Sequence, residues 1–416
     1  MITRRTLIAS AATLPALAAP ALRAATPVKI GVLFPLTGNS GSAGQQAKTA
    51  TEIALEVLNT PHPNLPELTF GASGGLSGLG GATIEAVFVD HRGDPAVAQS
   101  LTQRLITGDK VAALVGAYHS SCAMTATAVA ERYGVPFVIS DSVANNITER
   151  GFKFTFRVTP IGSNFAETYM RFVGDMQKAG RTIDSIALVN ENTDYGTQVG
   201  NSVEKAIKGS SVKLAVRIPY SANGADVSAQ VLQLKQANPS VVIFISYASD
   251  AILFMRTMKS LDWLPPMIIG DSAGFTDPAF IPAVGSIAQG AMSRSAWNLG
   301  PPGSLSARIN EVFKAKVGRN MDDSSARVME AVFVLADGLN RAGSTDPAKL
   351  QAALQATDLP QSRMVTGYLG VKFDASGQNL LGATYLTQLR GNELVTVWPP
   401  APGETPLTWP MTGWRS

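Results

Sequence analysis

Three observations predict an α/β fold of two doubly wound parallel-sheet lobes. Short apolar runs alternate with helix-length segments from Val28 onward. The alternation begins again after Pro160. The series holds too many strands for one sheet of common size, and Phe152–Thr159 is a natural crossing point between two. The chain of 416 residues is 45% hydrophobic and 16% charged, enough apolar material for two cores and too little charge for a disordered tail.

The elements follow in order. Val28–Phe34 reads as a buried strand: short, apolar and stopped by Pro35. Ser42–Leu58 carries helical periodicity, with Ala47, Ala50, Ile53, Ala54, Val57 and Leu58 on one face. Thr83–Asp90, Val111–Val115 and Pro136–Ile139 are further strands, separated by helices at Pro95–Thr107 and Cys122–Tyr133. Asp94 caps the first of those helices, and Pro95 suits its opening turn. Beyond Pro160, strands are expected at Ser185–Asn190, Val212–Ile218, Ser240–Ile245 and Met267–Ile269. Helices are expected at Ile161–Lys178, Gly196–Lys208, Val227–Gln236 and Asp250–Ser260. A helix-rich block follows at Ser304–Val317, Asp323–Arg341 and Pro347–Ala356. Tyr368–Phe373, Ala383–Leu389 and Leu394–Trp398 alternate polar and apolar residues as short β segments do, and five prolines from Pro399 to Pro410 make the end an extended surface tail. Gly71–Gly81 reads as a flexible loop whose glycine spacing fits neither phosphate-binding pattern.

Composition excludes several function classes. One cysteine rules out a disulfide framework and zinc sites built on paired cysteines. His62, His91 and His119 are too far apart in sequence for an HExxH helix. The formal charge of +3 comes from Arg4, Arg5 and Arg23, and the rest of the chain is near neutral, so no nucleic-acid surface is expected. Residues 1–25 read as an export signal. A basic start is followed by the uncharged run Ala9 to Leu22, broken by Pro15 and Pro20, and Arg4-Arg5 resembles a twin-arginine signal. Cleavage candidates are Ala16-Leu17-Ala18, Ala19-Pro20-Ala21 and the bond after Ala24, and no cysteine follows to carry a lipid. No later window is apolar over the ~18 residues a spanning helix needs. These features predict a soluble periplasmic protein.

Six segments, in order, resemble the periplasmic solute-binding proteins of branched-chain amino acid ABC transporters. They are Ile30-Gly31-Val32 with Pro35-Leu36-Thr37-Gly38; Val89-Asp90 with Gly93-Asp94-Pro95 and Asp109–Gly116; and Tyr118-His119-Ser120-Ser121 with Ala130–Pro136. Phe156-Arg157-Val158-Thr159-Pro160, Asp194-Tyr195-Gly196 and Phe373-Asp374-Ala375-Ser376-Gly377 complete the set. The resemblance implies the type I binding-protein fold, with three passages between lobes. Residues 26–158 and 293–370 would form lobe one, and 159–292 and 371–416 lobe two. It implies a monomer that captures an amino-acid-like, amide or carboxylate ligand between closing lobes and docks on a membrane permease, with no cofactor, metal or nucleic acid.

The resemblance also nominates a site. Ser120 and Ser121 match a serine pair that receives a ligand carboxylate, a role compatible with helix capping, and Tyr118 belongs to the same turn. Ser142 and Ala144 lie in the next strand-end loop, where Ala144 replaces a common threonine. Tyr195 and Tyr247 match rings that cover the ligand from lobe two. Asp271 falls near the acid that pairs with a ligand ammonium, and Ser272 competes for that place. Ser42-Ala43-Gly44 stands where a bulky aromatic is common, which would enlarge the cleft for an aromatic or extended acid. Two rival readings stand beside this one. A sensory module would use the same closed surface. A hydrolase would use Cys122 beside His119, but no orienting third group accompanies them.

Overall fold

Two mainly parallel sheets organise the chain in the computed structural model, which describes residues 25–68, 73–271, 273–400 and 406–415. The first sheet contains β1 (Val28–Phe34), β2 (Ile84–Asp90), β3 (Ala113–Gly116), β4 (Phe137–Ile139) and β5 (Thr155–Arg157). Its strands are parallel in the order β2-β1-β3-β4-β5. The second begins with β6 (Ser185–Glu191), β7 (Lys213–Tyr220), β8 (Val241–Ile245), β9 (Ile268–Gly270) and β10 (Met292–Ser295). A separate antiparallel pair, β11 (Asp358–Pro360) and β12 (Gly370–Lys372), follows. The chain then returns as β13 (Tyr385–Arg390) and β14 (Glu393–Trp398), which add an antiparallel edge and give the order β14-β13-β10-β9-β8-β6-β7.

The helices are α1 (Gly41–Asn59), α2 (Pro95–Thr107), α3 (Ser120–Tyr133), α4 (Gly162–Lys178), α5 (Asp194–Lys208), α6 (Ser228–Ala237) and α7 (Ala248–Ser260). Short α8 (Phe280–Val284), then α9 (Leu305–Val317), α10 (Asp323–Ala342) and α11 (Pro347–Gln355), complete them. Their starts follow elementary rules. The Asp94 carboxylate accepts from the amides of Ala96 and Val97, with Pro95 in the first turn of α2, as the sequence predicts. Helix α10 is buried on every face and packs against α1 and the first sheet.

Gly44 permits a close approach at the start of α1. A Cβ there would lie 1.9 Å from the carbonyl oxygen of Pro35. The small residues of this turn therefore serve packing as well as cleft width. The segment containing Phe373-Asp374 folds back on the first crossing. Arg157 N–H donates to Gly377 O at 2.8 Å, and Asn379 N–H donates to Arg157 O at 3.0 Å. Gly377 has φ +77°, and a Cβ there would sit 2.0 Å from Thr155 O, so only glycine fits this turn.

Several expectations change. Strand β10 carries the second sheet to Ser295, beyond the boundary expected at 292. It was not anticipated because Met-Ser-Arg-Ser is a polar run, stabilised by pairing on both sides. β5, α8 and β11 also lack a strong apolar period and were not anticipated. The described part of the glycine-rich segment, 73–81, is a packed turn rather than a free loop: Gly78 N–H donates to Asn340 Oδ1 at 2.8 Å, and Leu76 is buried. The extended tail expected over the surface is held down in its described part, 406–415: Met411 is buried and its N–H donates to Pro266 O at 2.8 Å. The export-signal reading rests on residues 1–24, outside the described residues. Among the described residues no helix is long and apolar enough to cross a membrane.

Candidate functional site

The carboxyl ends of strands from both sheets converge, as expected for open α/β sheets. A narrow cavity, partly open to solvent, lies between them. From the first-sheet side it is lined by Tyr118 and Ser120 after β3, by Asp141 and Val143 after β4, and by Arg327 from the first turns of α10. From the second-sheet side come Tyr195 on α5, Tyr247 before α7, Ala273 after β9 and Arg294 on β10. The two sides touch. Tyr118 OH donates to Ala273 O at 3.3 Å, and the His119 and Tyr247 rings lie 4.9 Å apart. Tyr247 also packs 5.7 Å from Tyr118 and 5.2 Å from Tyr195, forming an aromatic wall. Gly196 allows Tyr195 its place, because a Cβ there would meet Glu191 O at 2.1 Å.

The most heavily bonded group behind the wall is Asp271, which is fully buried. Its carboxylate accepts from Arg294 Nε at 2.9 Å, from Tyr195 OH at 2.8 Å and from Tyr169 OH. The Tyr195 hydroxyl also lies 2.6 Å from the Asp271 carbonyl oxygen. Burial, reinforced by the adjacent carboxylate, raises both phenols well above their ordinary range, so they remain protonated donors. Arg294 lies 3.6 Å over the Phe165 ring, and its buried Nη1 has no hydrogen-bond partner among the described residues. Asp271 counteracts the burial that would otherwise favour loss of the guanidinium's charge, and raises the Arg294 pKa.

The sequence-predicted residues therefore divide. Ser120, Tyr118, Tyr195 and Tyr247 line the cavity. Asp271 does not, because its lone pairs are directed to Arg294 and two tyrosines. Ser142 turns away and donates to Ala117 O at 2.5 Å, fixing the loop. Ala144 N–H donates to the Ser120 hydroxyl at 3.3 Å, and Ala144 O accepts from Arg157 at 2.6 Å. Ser121 lines neither this cavity nor its neighbour. Ser272 lies outside the described residues. Sequence reasoning missed Arg294, Arg327 and Asp141 as site residues. For Arg327 the available signal was acidic and basic groups on an otherwise apolar helix; Arg294 gave none, because its polar run does not read as a strand.

A second narrow cavity, also partly open to solvent, adjoins the first, sharing Tyr118, Ala273 and Arg327. Ala43 and Gln46 of α1 line it with Asp277, Asp322 and Ser324. The Ser42 hydroxyl donates to Asp277 at 2.8 Å, linking α1 to the second-sheet side.

Near these cavities, ligand atoms of His91, His119 and Cys122 lie within 4.8 Å of one another. They do not suit a metal. Gly93 N–H donates to His91 Nδ1 at 3.0 Å, which leaves the proton of the neutral ring on Nε2, so neither nitrogen offers a lone pair. Burial lowers His91 to about 4 and His119 to about 3, keeping both rings neutral. Burial pushes the Cys122 thiol up to about 12, leaving it protonated and unfit as the nucleophile of the hydrolase reading.

Relatives with this frame are extensive matches. The chain is 29% identical over 395 residues to "Leu/Ile/Val-binding protein homolog 7" of Brucella abortus (strain 2308), covering 93% of this chain and 95% of that one. The crystal structure of a leucine-binding protein LivK from Thermotoga maritima superposes with TM-score 0.74 at 23% identity, covering 89% and 97% of the two chains. LivJ from Streptococcus pneumoniae, solved with isoleucine, gives 0.76 at 19% identity and 92% and 100% coverage. A solute-binding protein from R. palustris, solved with benzoate, gives 0.73 at 21% identity and 89% and 95% coverage. The two parallel sheets and the cleft at their carboxyl ends accord with a family model for periplasmic binding proteins that matches residues 27–393, and the chain belongs to that family.

Proposed function

We propose that this protein is the solute-binding component of an ABC importer and captures a small carboxylate-bearing solute between two lobes. The lobes are the unit built on β1–β5 with α9–α11 and the unit built on β6–β10 with β13–β14. The observation that carries the reading is the Arg294 guanidinium on the cavity wall, with Nη1 buried and without a partner among the described residues. A buried donor of this kind costs about 1–3 kcal/mol when unsatisfied, and a ligand carboxylate relieves that cost with a charge-assisted bond. Ser120 supplies a hydroxyl from the other lobe, and Tyr195 and Tyr247 cover the ligand. Asp271 is a positioning residue that holds Arg294, not the partner of a ligand ammonium. Contacts from both lobes favour the closed form, which docks on the permease. The relatives solved with isoleucine and benzoate support a carboxylate ligand. Export by the twin-arginine route and signal removal near residue 25 belong to the same proposal.

The test is a thermal-shift screen on protein unfolded and refolded to strip carried-over ligand. Carboxylic acids should raise the melting temperature, by the equivalent of about 2.7 kcal/mol at one hundred times the dissociation constant. Their primary amides should not. Arg294→Met should abolish the shift while a far-UV spectrum shows the fold retained. Equal shifts with acids and amides would defeat the reading.

A further inference from the structure

The second cavity says what the other end of the solute carries. Asp277, on its wall, is 6% exposed. Ala279 N–H and Ser42 OH both bond its Oδ1, each at 2.8 Å. Its Oδ2 accepts no hydrogen bond from the described residues, and the carboxylate joins no ion pair among them. The nearby charges are already committed. Asp322 caps α10 and pairs with Arg319 at 2.9 Å. Arg327 reaches Asp323 at 2.8 Å and Asp141 at 3.3 Å.

The balance of charge is equally informative. Asp141, Asp271, Asp277, Asp322 and Asp323 face Arg294, Arg319 and Arg327, so five carboxylates meet three guanidinium groups. Burial raises the Asp141 and Asp277 carboxyls above their ordinary range, and a plain anion would raise them further. A solute that also brings a cation would hold Asp277 ionised, and its Oδ2 lies one cavity away from Arg294 Nη1. The small side chains of Ala43 and Ala273 share the cavity wall with that acid. We infer that Asp277 is a specificity-determining residue that receives an ammonium or other cationic group at the far end of a carboxylate solute, so that the preferred ligands are ω-amino or basic amino acids. The inference rests on the carboxylate reading above and extends it. The α-ammonium of leucine, adjacent to its carboxylate, would not span the two cavities.

The experiment is calorimetric titration of the refolded protein with chain-matched pairs that differ by a terminal amine: butanoate against 4-aminobutanoate, hexanoate against 6-aminohexanoate, and norleucine against lysine. The amine-bearing member of at least one pair should bind tenfold or more tightly than its partner. Asp277→Asn should erase that preference, lowering affinity for the amine-bearing member at least tenfold more than for its plain partner. Equal affinity within every pair, or a preference that survives Asp277→Asn, overturns the inference alone. Failure of both members of every pair to bind overturns the carboxylate reading and this inference with it. The comparison on the unmodified protein decides the matter even if the variant does not fold.

Discussion

Glu330 on α10 shows how burial of one side chain becomes a pH response. Its carboxylate lies under the returning chain and accepts from the amides of Val365 and Thr366 at 2.7 and 3.1 Å and from the Thr366 hydroxyl at 3.2 Å. Burial still dominates and raises the group to about 7 from an ordinary 4.5. The folded chain therefore holds this proton over a range where the unfolded chain has released it. Stability from this group is full below about 4.5, falls as pH rises, and levels off above about 7. Glu330→Gln should remove that slope, worth roughly 3 kcal/mol across the window. Urea midpoints at pH 5 and pH 8 would show the wild type losing more than the variant, and parallel losses would refute the assignment. At the same scale, the resemblance to solute-binding proteins nominated four of the cavity residues, Tyr118, Ser120, Tyr195 and Tyr247, and they sit where strands run into helices. It could not reveal that Asp271 is fully engaged, since Arg294 and Tyr169 meet it only through the fold.

At the scale of the element, α1 depends on one missing side chain. A methyl at Gly44 would collide with the Pro35 backbone, whereas one at Gly41 would make only ordinary contact, 3.6 Å from Leu36 O. Gly44→Ala should cost about 1–3 kcal/mol by overpacking, and Gly41→Ala should stay within about 0.5 kcal/mol of wild type. Chemical denaturation checks both, and equal effects would show that the helix start can shift. Elements with a strong period, such as β1, α1, α2 and β8, were legible within two residues of their ends. β10 was not, because the residues that make it a strand are its neighbours β9 and β13 and not its own polar sequence. The second sheet's antiparallel edge was visible only as short alternating segments; its attachment to β10 is a long-range pairing that no local pattern specifies.

For the whole molecule, the question is what holds the two sides together. The Ser42–Asp277 bond and the Tyr118–Ala273 bond both join the first-sheet side to the second. Ser42→Ala should weaken ligand binding about fivefold, the equivalent of about 1 kcal/mol of lost closure, with the unfolding midpoint nearly unchanged. Titration alongside small-angle scattering would test this, and unchanged affinity would remove that contact from the closing surface. The two-lobe plan itself was legible because the strand-helix rhythm stops and restarts, which physical order along the chain must show. The crossings at Arg157 and Gly377 gave weaker signals, since their meaning lies in bonds to each other. The aromatic lining has an optical consequence. The rings on the cavity walls are tyrosines, and none of the five tryptophans lines either cavity. Solute capture should therefore register as a tyrosine band in near-ultraviolet difference absorbance while tryptophan emission stays nearly silent, giving the protein a built-in reporter whose colour identifies where the solute sits.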